Sequence, residues 1–255
     1  MSRISQLISE GIVRPIKKPV WYTVHALTGI RMQMTTRFLD ASMFNASFRV
    51  PLDKVRKLVP SPKLLPIECS PGVAEILIGA NEFRHVDILY PYNEVAITIP
   101  VSYQTGSKTV ISSGEWFIHL PVSTEDARWG GVENYGYPKF VAEIKFDFNS
   151  NTPQCTLMHK GSKILTIKVK AISTLFQEWK YDNITMKDGR FLHSSFSVKG
   201  QRGIDETPGG AFISLGDHPI AEELQSLNME FTSFRHAYMP KVEAILSVGR
   251  EIKEM

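Results

Sequence analysis

Seven residues, Glu133-Asn-Tyr-Gly-Tyr-Pro-Lys139, place side chains suited to covalent catalysis in one short segment. An ordinary lysine, with a pKa near ~10.4, carries the free amine in only about four molecules per ten thousand at pH 7. Moving that balance by three decades takes about 4 kcal/mol and yields a nucleophile able to form a Schiff base with a ketone. Pro138 fixes its own φ and biases Tyr137 toward extended backbone, so Lys139 is presented stiffly. The aromatic residues Tyr135, Tyr137 and Phe140 can strip water from an ammonium and so favour the free amine. The bland alternative is a solvated surface lysine. Glu133 reads more simply as a brace for the loop than as a reacting group.

The elements around this motif are mostly strands. Val73–Ile78 is a compact strand candidate, and residues 94–101 alternate Val95, Ile97, Ile99 and Val101 against Glu94, Ala96, Thr98 and Pro100. Residues 109–120, 140–148, 163–175 and 190–198 continue the period of two. If Lys139 belongs to the strand after it, it shares parity with Val141, Glu143, Lys145 and Asp147. Otherwise the strand starts later and Pro138 marks a bend. Helical spacing is expected at residues 52–59, at 217–227 with Asp217 as the cap, and in a second C-terminal helix over 236–250. Residues 1–20 read as a short amphipathic helix and arm, broken by Pro15 and Pro19. With no repeat or linker, residues 1–255 read as one domain. The expected class is α+β, mainly antiparallel β, as a barrel or sandwich with peripheral helices.

Composition removes several function classes. Apolar residues make up 43% and charged residues 22%, enough to bury a sizeable core. A net charge of +3, with no basic run longer than Lys17-Lys18, argues against nucleic-acid binding. The two cysteines, Cys69 and Cys155, show no metal spacing and suggest a reducing compartment. The seven histidines lack an H-x-x-x-H pattern, so no metal is expected; no G-x-S-x-G elbow or phosphate loop occurs. The first ten residues are too polar for a signal peptide and no apolar run could span a membrane, which predicts a cytoplasmic protein.

Three segments together resemble the acetoacetate decarboxylase family: Tyr92-Asn-Glu94-Val-Ala-Ile-Thr-Ile-Pro-Val, Gly131-Val-Glu133-Asn-Tyr-Gly-Tyr-Pro-Lys139 and Leu215-Gly-Asp-His-Pro-Ile-Ala-Glu-Glu-Leu. Phe48-Arg-Val-Pro-Leu-Asp-Lys-Val-Arg-Lys-Leu-Val-Pro60 fits ahead of them, so the resemblance spans roughly residues 45–245. It implies a cone-like or closed β-barrel enclosing the site, no cofactor, and a homo-oligomer acting on a small keto acid. Lys139 falls on the Schiff-base lysine and Glu94 on one of two active-site glutamates, with Glu75 the best candidate for the other. Arg37 is the candidate for the family's arginine, ahead of Arg31 and Arg49. One departure stands out: a second lysine follows the reactive one in well-known members, whereas position 140 here is Phe. Activation of Lys139 must then lean on burial rather than on an adjacent cation.

The implied reaction is decarboxylation of a β-oxo acid, acetoacetate or a bulkier analogue, through an imine on Lys139. Two alternatives stay open: an aldolase or dehydratase working through the same imine, and a barrel that binds small carboxylates without catalysis. An ionised Glu94 beside Lys139 would favour the ammonium, so Glu94 is expected either partly protonated or held away. A neighbouring Glu75 would help keep one carboxyl protonated.

Overall fold

A computed structural model of the chain describes residues 35–106 and 108–252. The expected helix and arm over residues 1–20 lie outside the described residues, as does Arg31. The strands are β1 (Thr36–Pro51), β2 (Leu64–Pro66), β3 (Glu68–Ser70), β4 (Val73–Val86), β5 (Tyr92–Thr105), β6 (Lys108–His119) and β7 (Glu143–Asp147). They continue with β8 (Gln154–His159), β9 (Ser162–Val169), β10 (Leu175–Lys187), β11 (Arg190–Asp205), β12 (Ala211–Leu215), β13 (Arg235–Leu246) and β14 (Arg250–Glu251). The helices are α1 (Leu52–Val55), α2 (Glu125–Tyr135) and α3 (Pro219–Ser226). The chain is mainly antiparallel β with few helices. Among the described residues, no helix is long and apolar enough to cross a membrane.

The large sheet runs β2-β5-β6-β10-β11-β13-β1-β4-β3, and β4 also pairs with β5. That last pairing joins β5, β6, β10, β11, β13, β1 and β4 into a closed ring. Only the short β6–β10 contact in it is parallel. A second sheet, ordered β12-β9-β8-β7, packs against one side.

Side chains alternate across a strand, so each ring strand sends one parity inward and one outward. Val95, Ile97 and Ile99 of β5 and Ile76 and Ile78 of β4 point outward, into a core shared with Leu157, Leu165 and Ile167 of the second sheet. The other parity surrounds the interior: Ala96 of β5, Met43 of β1, and Ala237 and Met239 of β13, with Phe38, Tyr92 and Tyr137 in the same cluster. On β4 and β5 both faces are therefore buried. The polar residues on the inward parity are enclosed rather than solvated.

Three local expectations change. The segment 236–250 is not a helix; most of it is strand β13, paired with β1 and β11. Its pairing slips between Ala41↔Val242 and Met43↔Met239, so a bulge around Pro240 shifts the inward parity from 237/239 to 242/244/246. A bulge tolerates proline, and the slip imitates helical spacing. Helix α3 starts at Pro219 with His218, not Asp217, as its N-cap: the His218 ring accepts from the Ile220 N–H at 3.2 Å. Helix α2 has no apolar periodicity to announce it, since Glu125–Tyr135 contains two adjacent glycines.

Candidate active site

Lys139 is delivered by the end of α2 rather than by a strand. The hydroxyl of Thr124 caps the start of α2, accepting from the Ala127 N–H at 3.4 Å. The helix stops at Gly136, whose φ of 69° lies in the left-handed region that glycine enters without a Cβ penalty. The Lys187 ammonium donates to the carbonyls of Val132 (3.1 Å) and Glu133 (2.9 Å) and pairs with the Glu133 carboxylate, placing a cation on the negative helix end. Beyond it, the Pro138 carbonyl accepts from Leu120 N–H and the Phe140 carbonyl from Val122 N–H, anchoring both sides of Lys139. Strand β7 begins only at Glu143, so Lys139 is free of strand parity. It turns inward while Glu143 stays exposed.

The lysine stem crosses the face of α2 at Gly131. A Cβ there would sit 2.4 Å from Lys139 Cδ and 2.6 Å from Cε, so only glycine leaves the channel open. At its tip, Lys139 Nζ donates to Glu94 Oε2 at 2.8 Å, with side-chain exposures of 6% and 12%. The pair is in contact, not held apart. Asn81, directly across the ladder from Glu94, donates to the other carboxylate oxygen at 3.4 Å. The rings of Tyr92 and Tyr137 lie 5.4 and 5.6 Å from the ammonium. Burial pushes both phenols well above their ordinary pKa, so they stay protonated. The Tyr137 hydroxyl accepts from Asn183 Nδ2 at 2.8 Å, and Asn183 Oδ1 is buried without a partner among the described residues.

These groups line a pocket of about 60 Å³. Asn81, Ala96, Phe117 and Tyr181 are also walls of a larger cavity of about 310 Å³ inside the ring. Phe140 turns its ring against His159, 5.1 Å between centroids.

Glu75 and Arg37 are not brought to Lys139. Glu75 shares the inward face of β4 with Asn81, but six residues away, about 20 Å along the strand. There it accepts from Ser47 Oγ at 2.5 Å and from Arg235 Nη2 at 2.9 Å. The partner that Glu94 meets is thus a neutral amide instead of a second carboxylate. Arg37 is exposed, and its neighbour Phe38 takes the inward position. Arg49 pairs with Glu230 at 3.7 Å and stacks on Phe234. Asn81 and Asn183 carried no sequence signal, and Gly131 entered only as the first residue of the lysine segment, because their roles depend on cross-strand register and helix packing. Among the described residues, no three His, Cys, Asp or Glu side chains gather as a metal site requires.

A second carboxyl does face the larger cavity. Glu115 on β6 accepts from Thr98 Oγ1 at 2.6 Å. Burial first, with a push from the charge of Glu75, raises its pKa to about 7 against the pull of Thr98 and Arg235. The folded protein holds this proton more tightly than the unfolded chain does. Stability therefore falls as pH rises from about 4.5 to about 7 and stays reduced above that. Glu115→Gln keeps an acceptor for Thr98 and removes the charge. It is expected to gain on the order of 1–3 kcal/mol at pH 8 and little at pH 4.5. Thermal melts at the two pH values measure this, and equal shifts at both would exclude the carboxyl as the cause.

Residues 25–179 match the sequence profile of the family Acetoacetate decarboxylase (ADC). No curated protein matches the chain in sequence. In three dimensions it is similar to the acetoacetate decarboxylase from Legionella pneumophila subsp. pneumophila str. Philadelphia 1 (TM-score 0.64, 13% identity), covering 94% of this chain and 93% of that one. Another solved acetoacetate decarboxylase superposes with TM-score 0.60 and 21% identity over 99% and 98% of the two chains. The enduracididine biosynthesis enzyme MppR, complexed with the condensation product of pyruvate and imidazole 4-carboxaldehyde, gives TM-score 0.64 and 13% identity over 93% and 98%. At these identities the solved structures share a fold with this chain. The profile match covers more than half of its length, and the chain belongs to the acetoacetate decarboxylase family.

Proposed function

We propose that this protein is a Schiff-base lyase that decarboxylates a β-oxo acid through Lys139. The observation that carries this reading is the buried Lys139–Glu94 pair at 2.8 Å, set between two aromatic rings at one end of a cavity inside the ring. In a site that excludes water, an ammonium–carboxylate pair and an amine–carboxylic acid pair use the same hydrogen bond. Passing the proton to Glu94 therefore frees the amine without stranding a charge.

The amine attacks the ketone carbon and the carbonyl oxygen takes up a proton, giving a carbinolamine; Asn183 Oδ1 supplies an acceptor for its hydroxyl. Loss of water leaves an iminium cation. The bond to the carboxylate breaks, CO2 departs, and the electron pair moves through the double bond to nitrogen, forming an enamine. Glu94, having given its proton to the departing water, takes up another from solvent and delivers it to the enamine carbon. Water hydrolyses the resulting iminium to the ketone and free Lys139. Asn81 holds Glu94 in place throughout. Glu75 acts at a distance, by fixing Arg235.

Borohydride reduction in the presence of acetone or acetoacetate is expected to leave a mass adduct on Lys139, lost in Lys139→Arg. Absence of the adduct from the wild-type protein would sink the reading. An aldolase or dehydratase working through the same imine is a second reading. Phe140 favours it, since its ring packs on His159 and supplies no second cation to the site. CO2 release from acetoacetate, set against product formation from pyruvate plus an aldehyde, separates the two.

We read residues 1–255 as one cytoplasmic domain whose ring of strands is cone- or barrel-like and which assembles as a homo-oligomer. The exposed apolar side chains Leu175 (73%) and Phe176 (65%) support assembly.

A further inference from the structure

The interior is larger than a small β-oxo acid needs, and its chemistry changes along its length. Beyond Phe117 and Tyr181, the 310 Å³ cavity is walled by Met43, Leu77, Val198 and Met239. Past this apolar stretch come the charged groups. Arg235 is occupied: it donates to Glu75 at 2.9 Å and to Ser47 Oγ at 3.3 Å. Glu115 is hydrogen-bonded to Thr98. Lys180 faces Asp182 at 3.7 Å.

Arg202 is different. Its guanidinium lies 4.6 Å over the Trp179 ring, and its Nε–H is buried with no acceptor among the described residues. Among the described residues no carboxylate forms an ion pair with it, although the exposed Glu206 shares the cavity wall. Burial and the like charge of Arg235 hold its pKa below the ordinary arginine value. A stacked, planar guanidinium on a cavity wall suits a carboxylate, which accepts two parallel hydrogen bonds in the guanidinium plane. A buried donor left unmade costs free energy that a bound acceptor would recover.

The separation selects the ligand. Trp179, under Arg202, lies four residues along β10 from Asn183 in the Lys139 pocket, about 13 Å apart. Acetoacetate, whose carboxylate is two bonds from its ketone carbon, cannot touch both ends. We propose that Arg202 binds a second carboxylate, so that the substrate is an oxo acid carrying an anionic group at the far end of an apolar chain. This rests on the Schiff-base reading of Lys139, which fixes where the ketone sits.

The test uses methyl ketones with a distal carboxylate, 7-oxooctanoate and 9-oxodecanoate, beside their methyl esters. Half-maximal borohydride trapping on wild-type Lys139 is expected at a concentration about tenfold or more lower for at least one acid than for its ester. Arg202→Met is expected to erase that difference while trapping of acetone stays unchanged. The wild-type comparison requires no variant to fold. Equal concentrations for acids and esters, or an advantage of the acid that survives Arg202→Met, would overturn the proposal. Calorimetry on the same pairs without borohydride separates the two layers. Tighter binding of the acid that Arg202→Met abolishes, with no adduct on Lys139, removes the Schiff-base reading and keeps the anion site. Equal adducts with acid and ester do the reverse.

Discussion

Glu94→Leu with Lys139 in place is expected to destabilise the protein by about 3–5 kcal/mol, the usual cost of leaving one partner of a buried ion pair uncompensated. For a chain of this size each kcal/mol moves the melting temperature by about 2–4 °C, so a drop of roughly 6–20 °C should appear in a thermal melt. The double variant Lys139→Met/Glu94→Leu removes both charges from a site already lined by Tyr92, Phe117 and Phe196, and should recover most of the loss. The double-mutant cycle thus reads the pair itself rather than either side chain. Kinetics should divide differently. In Glu94→Leu the lysine can escape part of the cost by shedding its proton, so the borohydride adduct persists. Turnover loses its proton carrier and should fall by about 10²–10⁴-fold. An unchanged melting temperature in the single variant would mean that the pair is not shielded from water as its exposures of 6% and 12% imply.

Gly131→Ala is expected to silence the site while leaving the protein folded. In the middle of a helix, alanine is favoured over glycine by about 1 kcal/mol, so α2 itself gains slightly. The added methyl, however, would occupy the path of the Lys139 stem, 2.4 Å from Cδ. The helix backbone is held at both ends, by Thr124 and by Lys187 on its last carbonyls, so the flexible lysine gives way. A displacement of about 1 Å at a reacting group can cost 10²-fold in rate, and losses of that size or more are expected in adduct formation and turnover. Circular dichroism melting should show a change of only a few degrees. A large loss of stability with normal trapping would mean that the helix, not the lysine, moved.

Much of the fold was legible in the residues. The alternation over 94–101 marks a strand, and β5 is that strand extended at both ends. The turn chemistry of Tyr137-Pro138-Lys139 marks a stiff segment, and its bonds to Leu120 and Val122 hold it so. Where local cues were weak or misleading, tertiary packing chose. Helix α2 lacks an apolar stripe, and although Thr124 caps its start, the cation on its last carbonyls is Lys187, far along the chain on β10. The bulge at Pro240 made β13 look helical, because a slipped period of two imitates a period near four over a few residues.

The amino-acid sequence by itself marked the candidate nucleophile Lys139 and the strand over 94–101 through spacing within a few residues. It marked a mainly antiparallel β class through the run of strand patterns, while Glu94 as a partner came from the family resemblance. Which carboxyl or amide meets Glu94, and where the Arg202 guanidinium lies, only the tertiary structure decided. On β4 and β5 both faces are buried, so alternation there reveals two faces but not which one encloses the cavity. The register of β4 against β5 then puts Asn81, not Glu75, opposite Glu94. Arg202 meets Trp179 only because the adjacent strands β10 and β11 pair with Arg202 opposite Leu175, from where its side chain reaches back over the Trp179 ring.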